Sequence, residues 1–152
     1  MLVSLAPIQG VSAHMGSSAG GHLSVWLAIK ENNLACAIDG FGPVDLPLLA
    51  QKSKTGLDAL LGQQHSPDAE RSAAPIFSLS PQTAPILIIQ GTQDDLVPPE
   101  QSVKLYEAAM QKRVNAKLIT YPGRHSWEGL RAEIKANIVT EMVQFIKNAR
   151  PR

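Results

Sequence analysis

The feature that most constrains this chain is an alternation of short apolar runs with longer stretches whose apolar residues recur every three or four positions. The short runs have strand length and lie at 11–15, 34–41, 85–90 and 116–121, the third holding Ile86-Leu87-Ile88-Ile89. Strands that alternate with helices in this way build βαβ units and a parallel sheet. The second and third runs are continuously apolar rather than alternating, so both faces of the sheet are expected to be covered by helices. The expectation is an α/β fold of about four parallel strands.

The helices follow from periodicity and punctuation. Leu23, Trp26 and Leu27 form a stripe after Gly20-Gly21 that Asn32-Asn33 ends. Pro98-Pro99-Glu100 opens the next helix, where a proline in the first turn costs no hydrogen bond, and Val103, Tyr106, Ala109 and Met110 are expected on its inner face. The longest carries Leu130, Ile134, Ile138, Met142 and Phe145 and ends near Ala149. Residues 43–85, with Gly56, Gly62, Pro67, Pro75 and Pro81, read as short helices and loops. At 152 residues with no internal repeat, the chain is expected to form one domain over 1–152.

Composition excludes several function classes. A net charge of +1 with mixed signs leaves no basic patch for nucleic acid. The single cysteine, Cys36, sits in the apolar run Leu34-Ala35-Cys36-Ala37-Ile38 and reads as a small buried hydrophobe. No His, Asp or Glu spacing fits a metal site, and the chemistry below calls for no cofactor. The first residues, Met1-Leu2-Val3-Ser4-Leu5-Ala6-Pro7, have no basic start and too short an apolar run for a secretory signal or a membrane span, so the chain as written reads as cytoplasmic.

Three segments carry chemistry. Gly16-Ser17-Ser18-Ala19-Gly20 fits G-x-S-x-G between a strand and a helix, the setting in which a strained turn projects a serine hydroxyl. On its own the pentapeptide is equally a glycine-rich turn. Gln90-Gly91-Thr92-Gln93-Asp94-Asp95-Leu96-Val97-Pro98 follows the third run, and Tyr121-Pro122-Gly123-Arg124-His125-Ser126-Trp127 follows the fourth. The carboxyl ends of parallel strands share one sheet edge, so a serine, an acid and a histidine can meet there in the order Ser, Asp, His. Ser18 reads as nucleophile, His125 as general base and Asp94 as the acid that orients it, with Asp95 and then Asp45 as alternative acids. His22 reads as a packing or capping residue, His14 as a structural histidine of the nucleophile strand, and His65 as a surface-loop residue. Ser17 is the variable residue of the turn, and neither Trp26 nor Trp127 has a strong functional claim.

These segments resemble the α/β-hydrolase superfamily, nearest its esterase/lipase and prolyl-oligopeptidase-like branches. Phe41-Gly42-Pro43-Val44-Asp45-Leu46 is similar to the segment those families carry after the next strand, and Ala74-Pro75-Ile76-Phe77 to the S-P-I stretch before the acid-bearing strand. Gly91-Thr92-Gln93-Asp94 with Val97-Pro98 and Gln101-Ser102 resembles H-G-T-x-D-x-x-V-P-x-x-Q-S, with Gln90 in place of the histidine. The resemblance runs from the nucleophile strand to the C-terminus. It implies the C-terminal half of the fold, a truncated α/β-hydrolase, and acyl transfer to water through an acyl-enzyme. It also favours Asp94 over Asp95, because the motif puts the acid four residues before Pro98.

In that fold two backbone N–H groups hold the oxyanion. Ala19 supplies one, and the other comes from an earlier glycine-rich loop, for which no H-G-G segment appears before the turn. The strands that would flank the first run are missing with it, and an unpaired apolar edge invites a partner chain. A homodimer through that edge is therefore expected, or else a fold-over of residues 1–5 to cover it. The function expected is a serine esterase acting on small-molecule esters, of short acyl chain and weak activity. A non-catalytic oligomeric fragment and a peptidase of the oligopeptidase-like branch are the other readings.

Overall fold

The computed structural model describes residues 1–8, 11–52 and 54–149. In chain order the elements are β1 (Leu2–Ile8), β2 (Val11–Ser17), α1 (Ala19–Lys30), β3 (Leu34–Gly40), α2 (Leu46–Lys52), α3 (Lys54–Leu61), α4 (Pro67–Ala73), a 3₁₀ turn (Pro75–Ser78), β4 (Ile86–Gly91), α5 (Glu100–Gln111), β5 (Ala116–Tyr121) and α6 (Ala132–Asn148). The strands form one sheet in the order β1-β2-β3-β4-β5, with β2 to β5 parallel and β1 antiparallel to β2.

Strand β4 explains why its run is apolar throughout. Alternate side chains of a strand face opposite sides of the sheet. Ile86 and Ile88 enter a core with Val25 and Ala28 of α1 and Leu105 and Ala109 of α5. Leu87 and Ile89 enter a second core with Ile38 and Phe41, against which Ile134, Ile138, Met142 and Phe145 of α6 pack. Each fully buried side chain of this size contributes about 1.5–3 kcal/mol. Two apolar faces, with α1 and α5 on one side and α6 on the other, make the α/β architecture, a parallel sheet covered on both sides, that was read from the sequence.

The four parallel strands expected are β2 to β5, and a fifth, β1, lies along the outer edge of β2, pairing Leu2 with Gly16, Val3 with Met15 and Ser4 with His14. This is the fold-over of the first residues onto that edge. Two expectations are corrected. On α1, Leu23 is exposed while Val25 and Ala28 are buried; on α5, Val103 and Met110 are exposed while Leu105, Ala109, Gln101 and Ser102 are buried. Burial of a glutamine and a serine hides the helix's inward face from a count of apolar residues. Lastly, the His65 side chain is buried rather than on an open loop, with Asp58 Oδ1 3.1 Å from Nε2 and Glu70 Oε1 2.8 Å from Nδ1. The carboxylates of α3 and α4 hold it between them.

Candidate active site

Ser18 sits where β2 turns into α1, with φ 55° and ψ −124°, a conformation that costs a non-glycine residue of order 1–3 kcal/mol. The strand-to-helix reversal forces it, and neighbouring backbone holds it: Ser18 N–H donates to Gly40 O at 2.8 Å and His22 N–H to Ser18 O at 3.1 Å. A Cβ on Gly16 would lie 2.0 Å from Gly20 O, so the turn closes only with hydrogen at that position. Ala19 is the first residue of α1. Its N–H is one of the four that a helix leaves without an internal acceptor, and it sits at the positive end of the helix dipole.

The loops after β4 and β5 are stitched together. Thr92 N–H donates to Tyr121 O and Gln93 N–H to Gly123 O, both at 2.9 Å. The second loop crosses so closely over Gly91 that a Cβ there would meet Gly123 O at 2.4 Å. The Tyr121 hydroxyl lies 3.2 Å from Arg124 O and 3.4 Å from Ser126 O, reaching back to both carbonyls beside His125. Burial, with the Asp94 charge behind it, pushes the Tyr121 hydroxyl up to about 12, which keeps it a donor at neutral pH.

These loops bring together Ser18, Asp94 and His125. His125 Nε2 lies 2.8 Å from Ser18 Oγ, and its Nδ1 lies 2.7 Å from Asp94 Oδ2. The tautomer that satisfies both contacts has Nδ1–H donating to the carboxylate and Nε2 accepting from the hydroxyl. Asp94 Oδ1 accepts from Leu96 N–H at 3.0 Å and Val97 N–H at 2.9 Å, and Oδ2 also accepts from Gln90 Nε2 at 3.1 Å. Burial pushes the Asp94 carboxyl up, but the hydrogen bond to His125, the Val97 and Leu96 N–H groups and the His125 charge together bring it below its ordinary value. A carboxylate so held stays charged and faces the imidazole.

The alternative acids turn elsewhere. Asp95 is exposed and pairs with Arg124 at 2.8 Å. Asp45 caps α2, accepting from Leu48 N–H at 3.1 Å, with Lys104 4.0 Å away. His22 is buried on Pro43 O at 2.8 Å, and burial lowers its pKa despite that bond. His14, in β2, sets Nε2 3.4 Å from Glu31 while its buried Nδ1 meets no partner among the described residues. Cys36 is buried. Among the described residues, no helix is long and apolar enough to cross a membrane.

Sequence reasoning missed the residues that support His125. Phe41 meets the imidazole edge-on with ring centres 4.7 Å apart, and Trp127 stacks on Tyr121 at 5.6 Å while packing on Phe41 at 5.2 Å. Gln90, noted only for standing where the family motif has histidine, bonds Asp94 and accepts from Ser102 Oγ at 2.8 Å. The Gln-Ser pair of the motif was the available signal: Ser102 holds Gln90, and Gln101 Oε1 accepts from Val44 and Asp45 N–H.

Comparison with known proteins places the fold and the family. The chain is 30% identical over 122 residues to dipeptidyl peptidase family member 6 of Caenorhabditis elegans, a match covering 72% of this chain and 16% of that protein. Its fold is similar to a puromycin-hydrolyzing peptidase of Mycobacterium tuberculosis, with TM-score 0.78 at 24% identity over 92% of this chain and 22% of the other. It is also similar to an acetyl ester-xyloside bifunctional hydrolase of Caldicellulosiruptor lactoaceticus, with TM-score 0.72 at 22% identity over 90% and 57%. The chain thus spans about a sixth of the curated relative and a fifth to three fifths of these two structures. The BD-FAE family model matches residues 11–109, from the start of β2 through most of α5, and the chain belongs to that α/β-hydrolase-type family.

Proposed function

We propose that the protein is a serine hydrolase cleaving carboxylic esters of short acyl chain through an acyl-enzyme on Ser18. The observation that carries this reading is the unbroken relay of hydrogen bonds from Ser18 Oγ through His125 to the buried Asp94. In the first half-reaction His125 Nε2 takes the Ser18 proton as Oγ attacks the ester carbonyl, and the Ala19 N–H faces the oxygen on which charge develops. Collapse of the tetrahedral adduct breaks the bond to the alcohol, which leaves with the proton from His125. Water then attacks the acyl-enzyme, gives its proton to His125, and releases the acid and free Ser18. Asp94 keeps the imidazole in the useful tautomer and stabilises its charged form. The similarity to an acetyl ester-xyloside bifunctional hydrolase supports an ester of small acyl group.

A second reading keeps the same machinery and makes the bond an amide, favoured by the peptidase names of two relatives. Hydrolysis of p-nitrophenyl acetate and of a matched peptide p-nitroanilide by wild type and Ser18→Ala separates the readings. Ester turnover that falls about a thousandfold or more in the variant is the expected result. Equal rates in wild type and variant would defeat the proposal, and faster cleavage of the anilide would shift it to the peptidase.

A further inference from the structure

Phe41 breaks the side-to-side alternation of the strand that leads into it. Along β3, Ala37 packs with α1 and Asp39 lies against Gly21 of the same helix, while Ile38 belongs to the core under α6. Alternate side chains of a strand face opposite sides of the sheet, so residue 41 would follow 37 and 39 to the α1 side. Its ring instead lies buried in the α6 core with Ile38 and Ile89. The reversal is made in the backbone, because Phe41 has φ 45°, a left-handed conformation that is an outlier for a bulky side chain. Gly40 makes room on that side, since a Cβ there would meet Trp127 Cζ2 at 3.0 Å.

The turn is held from several directions. Ser18 N–H donates to Gly40 O and Phe41 N–H to Ile89 O, both at 2.8 Å, and Gly42 N–H donates to Asp39 Oδ1 at 2.9 Å. Among the described residues, three other than glycine have positive φ: Ser18, Phe41 and Arg113. Ser18 is the candidate nucleophile, and Arg113 directly follows the C-cap of α5, where helices commonly end in a left-handed residue. Phe41 has neither reason, and strain that the surroundings enforce gathers at functional sites. Here it delivers a ring to the imidazole of His125, centre to centre 4.7 Å, with Trp127 packed on that ring at 5.2 Å.

The reaction cycle gives the contact a task. In the free enzyme His125 is held at both nitrogens, by Ser18 Oγ and Asp94 Oδ2. Once Oγ carries the acyl group it has no proton to donate, so Nε2 loses that bond while it must still receive a proton from water. An apolar contact is indifferent to the proton and persists through this step. Resting on the serine-hydrolase reading above, we infer that Phe41 is a positioning residue, whose left-handed backbone turns its ring across the sheet to keep His125 at Ser18 throughout the cycle.

The experiment is p-nitrophenyl acetate turnover and urea unfolding of wild type, Phe41→Leu, Phe41→Ala, Phe41→Gly and Ile138→Ala, with Ser18→Ala as blank. Ile138 lies in the same core, so its truncation costs stability and leaves the ring in place. Phe41→Leu keeps an apolar side chain and should lower kcat about ten- to a hundredfold with KM no higher than in wild type. Ile138→Ala should stay within about threefold of wild type. Glycine adopts positive φ freely and alanine does not. Phe41→Gly should therefore unfold at higher urea than Phe41→Ala and yet turn over no faster, whereas a residue that only stabilised the fold would give activities that rise with stability. A kcat for Phe41→Leu within about threefold of wild type, a rise in KM that carries the loss, or an equal loss in Ile138→Ala would overturn the inference and leave the hydrolase reading standing. An alanine variant more stable than the glycine one would overturn the strained placement of the ring. Absence of Ser18-dependent turnover in wild type would overturn the hydrolase reading and the role of Phe41 with it.

Discussion

Asp94 and Asp39 stand at the carboxyl ends of adjacent strands, β4 and β3, and both are buried, yet their environments drive them in opposite directions. Asp94 receives two backbone N–H groups, the Gln90 amide and the imidazole, and its carboxyl lies below its ordinary value despite burial. Asp39 receives one donor, Gly42 N–H at 2.9 Å, and its Oδ2 meets no partner among the described residues. Burial, only partly opposed by that N–H, pushes it up to about 7. Hydrogen-bond donors around a carboxyl, more than depth or distance from the serine, decide whether it holds a charge. Two carboxyls pushed apart in this way take different tasks.

The comparison breaks most sharply at Asp94. Asp94→Asn should leave the fold intact and cut Ser18-dependent kcat/KM by about three to four orders of magnitude, because an amide no longer fixes the tautomer or stabilises the imidazolium. A loss under tenfold would mean that the imidazole needs no acid here. The same variant has a stability signature. A carboxyl with a depressed folded-state pKa contributes stability that is present above the unfolded value and lost as pH falls through the folded one. Wild type should therefore lose more stability than Asp94→Asn on acidification below about pH 4.

A smaller effect is expected one step out. Gln90→Leu removes a donor from Asp94 and strands the buried Ser102 hydroxyl that donates to Gln90 Oε1. An unsatisfied buried group costs about 1–3 kcal/mol. The melting temperature should fall accordingly, with kcat/KM reduced about tenfold. Because Leu96 and Val97 N–H remain on Asp94, the loss should stay well short of that in Asp94→Asn. Equal losses in the two would make Gln90, and not the backbone, the main support of the charge.

The contrast between the aspartates also marks how far the sequence could be read. Apolar runs and a serine turn report local rules, so β2 to β5 and the meeting place of Ser18, Asp94 and His125 were legible. Asp39 was not, because it stands inside an apolar strand run and no spacing counts the donors that reach a side chain from Gly42. Strand β1 was legible only as an alternative: the open edge of β2 called for a cover, and whether a second chain or residues 1–5 supply it is a tertiary choice that no local pattern encodes. The inward face of α5 misled for a related reason, since Gln101 and Ser102 are buried by the partners they bond. Polar burial depends on satisfaction by distant residues, which a periodic pattern does not encode.

Asp39→Asn carries the smallest expected effect on rate and tests the other half of the comparison. Asp39 bonds Gly42 and none of Ser18, His125 or Asp94, so kcat/KM should change by less than about threefold. Its consequence falls on stability, with a sign opposite to that of Asp94. An unfolded aspartate ionises near pH 4, whereas the folded one holds its proton to about 7. Across that window the folded state binds the extra proton, so wild-type stability falls as pH rises, by up to about 1.4 kcal/mol per unit. The asparagine variant has no such charge to bury. Its stability relative to wild type should rise by about 2–3 kcal/mol between pH 5 and 8 in urea unfolding. A difference constant across that range would mean that the carboxylate is already charged in the folded protein, with a donor at Oδ2 such as a bound water, and the distinction between the two aspartates would then be one of geometry alone.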